Sequence, residues 1–303
     1  MSLMNQLKRE GYNIAALAVI TIDNPLVALT GHRICNACMK SCIFQNQQPV
    51  NVPAIETQIL ESVLKLPYGF EIYSLLTRWN PLNFYSPLPK KESGYRVLVV
   101  GQGPAGISLS HYLLNSGHQV WAIDGMQIKS IPKKLTKDLI KNYQGLHDDL
   151  HYRQSVGFGG VCEYGITSRW NKNFLMVARL LLERRKNFRL KGSLKYGGNL
   201  TTSQAKQMGF DHVAICTGAG SPKLPNIEKL PQVVNAANFL MDINLKSSYL
   251  HDQTPQIAGP ILVIGGGLTA VDAATEAKAY LNYFNVSNSQ VTIVYRKKLI
   301  DHQ

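Results

Sequence analysis

The apolar positions of this chain change register near residue 93. Before it, the first 65 residues read as short helices joined by tight loops, with Asn24-Pro25 as a break. Pro67, Pro81, Pro87 and Pro89 then crowd a stretch that cannot be one continuous helix or strand, so it reads as a connector. From Tyr95 the pattern becomes Arg-Val-Leu-Val-Val, a short apolar run suited to a buried parallel strand, followed by a glycine turn and a helical stretch. A second apolar strand, 119–123, completes a β-α-β unit. The same order recurs later: an apolar run over 261–264, a glycine turn, a helix through Tyr280 and a strand over 291–295. Between the two units lie a helix over 173–185 and an apolar strand over 213–216 that ends in Thr217-Gly218. The prediction is an α/β protein: a helical domain with connector over 1–92, a Rossmann-like domain over 93–258, and the start of a second Rossmann-like domain over 259–303.

At 303 residues the chain suits two domains, or two plus a small module, and 45% hydrophobic with 17% charged residues is ordinary globular composition. A net charge of +13 raises the question of nucleic acid. The basic residues are dispersed, however, and the densest stretch, Lys129 to Lys195, is interrupted by Asp138, Asp148, Asp149 and Glu183. No helix-turn-helix, finger or RNA-binding signature accompanies them, so the charge reads as a solvated basic surface, with no nucleic-acid partner expected. The longest apolar run, Ile14 to Ile22, is stopped by Asp23-Asn24-Pro25. It falls short of the roughly 20 residues that span a bilayer, so no membrane span is expected. Lys8 and Arg9 imitate the start of a secretory signal, but Glu10 intrudes and no small-residue cleavage site follows. A cytoplasmic protein is expected.

Gly101-Gln102-Gly103-Pro104-Ala105-Gly106 has GxGxxG spacing directly between strand and helix. In such a turn the first glycine makes the bend, the second lets backbone approach a pyrophosphate and the third brings helix against strand, while the helix N-terminus faces the phosphates. Asp124 ends the second strand, about 20 residues on, where an acid can bond both ribose hydroxyls. The alternative is a purely structural glycine turn. Gly265-Gly266-Gly267-Leu268-Thr269-Ala270 repeats the motif with Ala last, which still permits close packing. Its second strand leads into Arg296 and Lys297 where an acid would favour NADH, so the cations favour a 2′-phosphate and NADPH over NADH. A merely solvated strand end is the other reading. Two nucleotide units imply two cofactors, and the chemistry that needs both is hydride transfer from nicotinamide to flavin. That step needs no dedicated acid or base, and no catalytic residue is assigned.

Five cysteines, an odd number, fit a disulfide framework poorly, and three of them cluster as Cys35, Cys38 and Cys42. Three soft ligands in one short stretch suit an iron–sulfur cluster, or zinc with His32 as fourth ligand. Buried inert thiols remain the alternative. Cys162 and Cys216 have no partner in sequence and read as packing residues.

Taken together these pieces resemble the small subunit of glutamate synthase and its relatives, including the N-terminal half of dihydropyrimidine dehydrogenase. The resemblance covers nearly the whole chain. It rests on 23–25 leading to Thr30-Gly31-His32-Arg33-Ile34-Cys35, on Pro49-Val50-Asn51-Val52 with Ile55-Glu56, and on Gly101 to Gly106. It continues through Gly159-Gly160 with Tyr164-Gly165-Ile166, Cys216-Thr217-Gly218-Ala219, and Gly265 to Asp272 with Tyr295-Arg296. The resemblance implies that NADPH reduces FAD and that iron–sulfur clusters in the helical domain pass electrons to a partner subunit or fused domain. It would give Gly101 to Gly106, Asp124, Thr217 and Gly218 to FAD, and Gly266 to Thr269 with Arg296 and Lys297 to NADPH. Cys35, Cys38 and Cys42 would be cluster ligands, with Glu56 where a non-cysteine ligand occurs.

Two departures qualify it. Family members have an earlier cysteine-rich segment, and their second nucleotide unit continues for several strands before returning to the flavin domain. The expectation is therefore an incomplete piece, to be completed by a missing C-terminal segment or a partner, or else an inactive relative that serves as a binding or assembly module. A β-α-β stub has only two strands to bury its helix against. Limited proteolysis of the purified chain is accordingly expected to cut first within 259–303, and protection of that segment without a partner would refute the expectation.

Overall fold

A computed structural model describes residues 2–31, 37–126, 128–147, 172–220, 230–245 and 257–296. The chain forms two compact units, Met1–His147 with Asn173–Gly218, and Asp148–Lys172 with Ala219–Gln303.

The first unit opens with helices α1 (Ser2–Arg9), α2 (Asn13–Asp23), α3 (Val27–Thr30), α4 (Ala37–Lys40), α5 (Val52–Leu64) and α6 (Gly69–Leu76). Asn51 starts α5 by accepting the Ala54 N–H on its side-chain oxygen at 3.3 Å, with Pro53 in the first turn where no N–H is missed. Leu17, Ile20, Ile59, Leu60, Val63 and Phe70 supply the buried apolar face of this module. Two polar side chains fix its turns. The fully buried Tyr73 hydroxyl donates to the Pro25 carbonyl at 2.8 Å and accepts the Ala28 N–H at 3.3 Å, so the Asn24-Pro25 break is held from α6. Burial also pushes that phenol well above its ordinary pKa. Asn80 donates to the Ala18 carbonyl (2.7 Å) and to Thr21 (3.0 Å), tying the irregular connector back to α2.

The connector runs without regular structure from Asn80 to Tyr95 and is pinned by Lys90 N–H to Asn115 O (2.7 Å) and Ser93 N–H to Gly117 O (2.9 Å). Then come β1 (Arg96–Val100), α7 (Pro104–Asn115), β2 (Gln119–Ile123), α8 (Lys133–Lys137), α9 (Phe174–Glu183), β3 (Phe188–Lys191), α10 (Thr202–Gln207) and β4 (His212–Ile215). The four strands form one parallel sheet in the order β3-β2-β1-β4, with Leu98 opposite Trp121 on one side and Val213 on the other. β1 is central and buried from Val97 to Val100, as its unbroken apolar run requires. Leu98, Val100, Ile123, Leu200, Ala205 and Phe210 pack as one core cluster. α9 joins module to sheet: it packs against α3 and α7 with eight of its residues buried, then leads into β3. Just past its end, Arg184 bonds the Glu71 carboxylate at 2.8 and 3.0 Å and lies over the Phe70 ring.

In the second unit, α11 (Ala236–Leu245), β5 (Ile261–Ile264), α12 (Leu268–Tyr283) and β6 (Val291–Val294) are described. β5 and β6 pair in parallel, Ile261 opposite Val291 and Ile264 opposite Val294. α12 packs on both strands and on α11. The other face of this pair, with Leu262, Ile264 and Val294, is exposed, Leu262 at 60% and Ile264 at 65%.

The chain thus has N-terminal helices and parallel sheets of dinucleotide-binding type. Strands 119–123 and 261–264 match expectation residue for residue. Helix α12 runs three residues past Tyr280, and β4 ends at Ile215, leaving Cys216 just outside. Five elements lacked a readable pattern: α6, which forms inside the proline-crowded stretch read as connector, the short basic α8, β3, whose Phe-Arg-Leu-Lys alternates on a sheet edge, the polar α10, and α11. For α10 the signal was a capping box, in which Thr201 accepts the Gln204 N–H while the Gln204 side chain accepts the Thr201 N–H.

Replacing Tyr73 by Phe leaves the Ala28 N–H and the Pro25 carbonyl buried without their partner. The expected loss is about 1–3 kcal/mol of unfolding free energy, read from the urea midpoint.

Candidate nucleotide sites

The first glycine turn is built by backbone contacts that side chains would prevent. Gly101 follows β1 with φ +93°, and a Cβ there would stand 2.5 Å from the Cys216 carbonyl oxygen. Gly106 lies in the first turn of α7, and a Cβ there would stand 1.8 Å from the Gly101 carbonyl oxygen. Helix and strand therefore meet at a distance only glycine permits. Gly103 is the N-cap of α7 in extended conformation and no side chain caps it. Pro104 lacks an N–H, and the other amides in the first turn of α7 are left for an incoming anion.

Asp124 lies across from the turn. One carboxylate oxygen accepts the Gln102 N–H at 2.8 Å and the other the Met126 N–H at 3.0 Å, so the group is fixed at the tip of β2 with lone pairs to spare. Thr217 and Gly218 follow β4 beside Gly101, the Thr217 Cα being 3.2 Å from a Cβ built on Gly101. The structure thus brings Gly101, Gln102, Gly103, Pro104, Ala105, Gly106, Asp124, Thr217 and Gly218 to one end of the parallel sheet, where open α/β folds bind ligands. Two contributions escaped the sequence. The Gln102 side chain is wholly buried and donates to the Gly101 carbonyl at 2.9 Å, bracing the turn from beneath. Cys216, expected only to pack, supplies the carbonyl wall behind Gly101, and burial raises its thiol pKa.

The second turn, in the other unit, is looser. The Gly265 N–H bonds the Val294 carbonyl at 2.9 Å, and Gly267 is the uncapped N-cap of α12. A Cβ on Gly267 would meet nothing within 4 Å, and the nearest atom to one on Gly265 would be the Ala270 Cβ at 3.8 Å. Gly265 through Ala270 therefore form a strand-to-helix turn, with Leu268 and Thr269 opening the helix. Arg296 lies exposed two residues past β6, and Lys297 lies outside the described residues.

Of the cysteine cluster, Cys38 on α4 and Cys42 beyond it are half-buried free thiols, while Cys35 and His32 lie outside the described residues, as does Cys162. Glu56 sits on α5, and burial raises its carboxyl above the ordinary range. Among the described residues no three His, Cys, Asp or Glu side chains converge as metal ligands. No described helix is long and apolar enough to cross a membrane.

The family model described as pyridine nucleotide-disulphide oxidoreductase matches residues 95–301, from the threshold of β1 through both glycine turns. The chain belongs to the pyridine nucleotide-disulphide oxidoreductase family. Membership makes it a relative of FAD- and NAD(P)-dependent oxidoreductases in general, and both turns fall inside the matched stretch. An uncharacterized protein of Rickettsia prowazekii is 52% identical over 259 residues, which are 84% of this chain and 36% of that one. The glutamate synthase [NADPH] small chain of Bacillus subtilis is 25% identical over 90% of this chain and 48% of its own length. The NADP(+)-dependent formate dehydrogenase subunit beta of Moorella thermoacetica is 23% identical over 89% and 35%. The chain spans between about a third and a half of the length of these relatives.

Within this member of the family, the two turns differ in how much a methyl group would disturb them. Gly106→Ala must push α7 from β1 and is expected to lower stability by about 1–3 kcal/mol, whereas Gly267→Ala is expected to fall near wild type. Urea denaturation of both variants is the check.

Proposed function

We propose that the chain passes electrons from NADPH through FAD to a partner subunit or acceptor, in the manner of a glutamate synthase small subunit. The observation that carries this reading is the first cradle: a glycine turn whose third glycine has no room for a Cβ, an uncapped helix N-terminus and a carboxylate fixed beside them. These residues fit a dinucleotide, the N-terminal amides of α7 facing the pyrophosphate and Asp124 accepting from ribose hydroxyls. FAD bound there supplies two-electron acceptance from a nicotinamide. At the second turn, the Gly267 N-cap and the exposed Arg296 fit a nicotinamide nucleotide with a 2′-phosphate, with Lys297 adding charge next in sequence. An iron–sulfur cluster held by Cys35, Cys38, Cys42 and Glu56 rests on spacing and resemblance, and no step is derived through it.

A second reading has its own observation. The apolar face of the β5–β6 pair is uncovered, as suits a chain that acts as a binding or assembly module without turnover.

One experiment separates the two. Purified chain reconstituted with FAD is expected to show flavin absorbance that bleaches anaerobically with NADPH, faster than with NADH, and Arg296→Ala is expected to reduce that preference. A colourless protein after reconstitution overturns the electron-transfer reading. Hydride transfer from NADPH to an artificial acceptor eliminates the assembly reading.

A further inference from the structure

The connector between the helical module and the sheet holds an apolar tip in water. The Asn80 N–H bonds the Pro87 carbonyl at 3.1 Å and closes the stretch between them into a loop. Its base is anchored, because Asn80 is buried and its side chain donates to the Ala18 carbonyl and to Thr21. Within the loop, Asn80 accepts the Leu82 N–H on its side-chain oxygen and the Asn83 N–H on its carbonyl, both at 3.0 Å. The Asn83 side chain in turn accepts the Ser86 N–H at 3.0 Å. These bonds fix the loop in a form that keeps Phe84 and Tyr85 out of the core, 87% and 100% exposed, with Leu88 following at 61%.

Two properties of the tip decide what would cover it. Its N–H groups are largely met from within: Pro81 and Pro87 have none, and those of Asn80, Leu82, Asn83 and Ser86 are bonded inside the loop. Such a backbone loses little on entering a poorly hydrated medium, where each unmet polar group is costly. The charge around the tip also has one sign. No Asp or Glu lies between Glu71 and Glu92, whereas Arg78, Lys90 and Lys91 are exposed, and Glu92 is paired with Lys186 at 2.9 Å. Aromatic rings beside lysines are the side chains that settle at the headgroup level of a bilayer. A protein partner would need a pocket shaped to the tip, whereas a bilayer needs only apolar depth and anionic headgroups.

We propose that this loop docks the chain on an anionic membrane surface, with Phe84 and Tyr85 inserted at the headgroup boundary and Lys90 and Lys91 against the lipid phosphates. Attachment of this kind lies on the bilayer and needs no spanning helix. It uses no residue of either glycine turn, so it does not rest on the electron-transfer reading.

Sedimentation of the full chain with vesicles tests it. The wild type is expected to bind vesicles of phosphatidylglycerol and phosphatidylcholine about tenfold more tightly than phosphatidylcholine alone. Phe84→Ser with Tyr85→Ser is expected to lower binding to the anionic vesicles by about tenfold or more, and Lys90→Gln with Lys91→Gln by about tenfold. Melting temperatures should stay at the wild-type value, because all four side chains are exposed. A Phe84→Trp chain is expected to show tryptophan emission quenched by brominated lipid beyond that of the wild type. The proposal is overturned by a wild type that ignores anionic vesicles, by a serine variant that binds them equally, or by quenching no greater than the wild type's. A wild-type dimer that ignores the vesicles and that the serine variant makes monomeric would give the tip to a second copy of the chain and overturn it too.

Discussion

The carbonyl oxygen of Gly101 occupies the space a side chain on Gly106 would need, and much of the first unit follows from that contact. It sets the distance between α7 and β1, and so the place where the N-terminal amides of α7 emerge. The missing side chain of Gly101 itself leaves room for the Cys216 carbonyl behind it, which brings β4 and the Thr217-Gly218 loop to the same end of the sheet. Asp124 completes the arrangement from β2, held by two backbone N–H groups rather than by side chains. A carboxylate fixed in this way needs little reorganisation when a ligand arrives, which is how a bound geometry becomes affinity.

What the sequence disclosed and what it hid divide along physical lines. Unbroken apolar runs such as Val97 to Val100 are legible because a central parallel strand is buried on both faces. Glycine turns are legible because their spacing reports steric need. The edge strand Phe188–Lys191 was not, since its alternation is that of an exposed ribbon and only the register of Trp121 with Arg189 reveals it. Nor was the brace from Gln102, because a side chain bonding the preceding carbonyl leaves no periodic trace. The tie from Asn115 to the Thr77 carbonyl was equally silent: the two residues lie 38 positions apart, and no local pattern joins them.

The two nucleotide turns, alike in sequence, are unlike in construction. The first is closed by glycine on glycine and buttressed by β4, whereas the second ends in Ala270 and leaves open space at Gly267. The difference follows from what surrounds them: β1 has strands on both sides, while β5 and β6 are each paired once among the described residues. A turn in a four-stranded sheet inherits its precision from neighbours that a two-stranded sheet lacks.

Helix α9 has a consequence for how this protein is inherited and divided. It roofs α3 in the helical module and in the same ten residues forms the crossover into β3, with Arg184 just beyond it clasping Glu71 of α6. The N-terminal helices therefore share a wall with the nucleotide-binding sheet. Removing them would strip α3 from the helix it packs on, so the helical module is not a cassette that could be exchanged between proteins while the sheet stayed unchanged. Any lineage that altered the one would have had to re-pack the other at the same time.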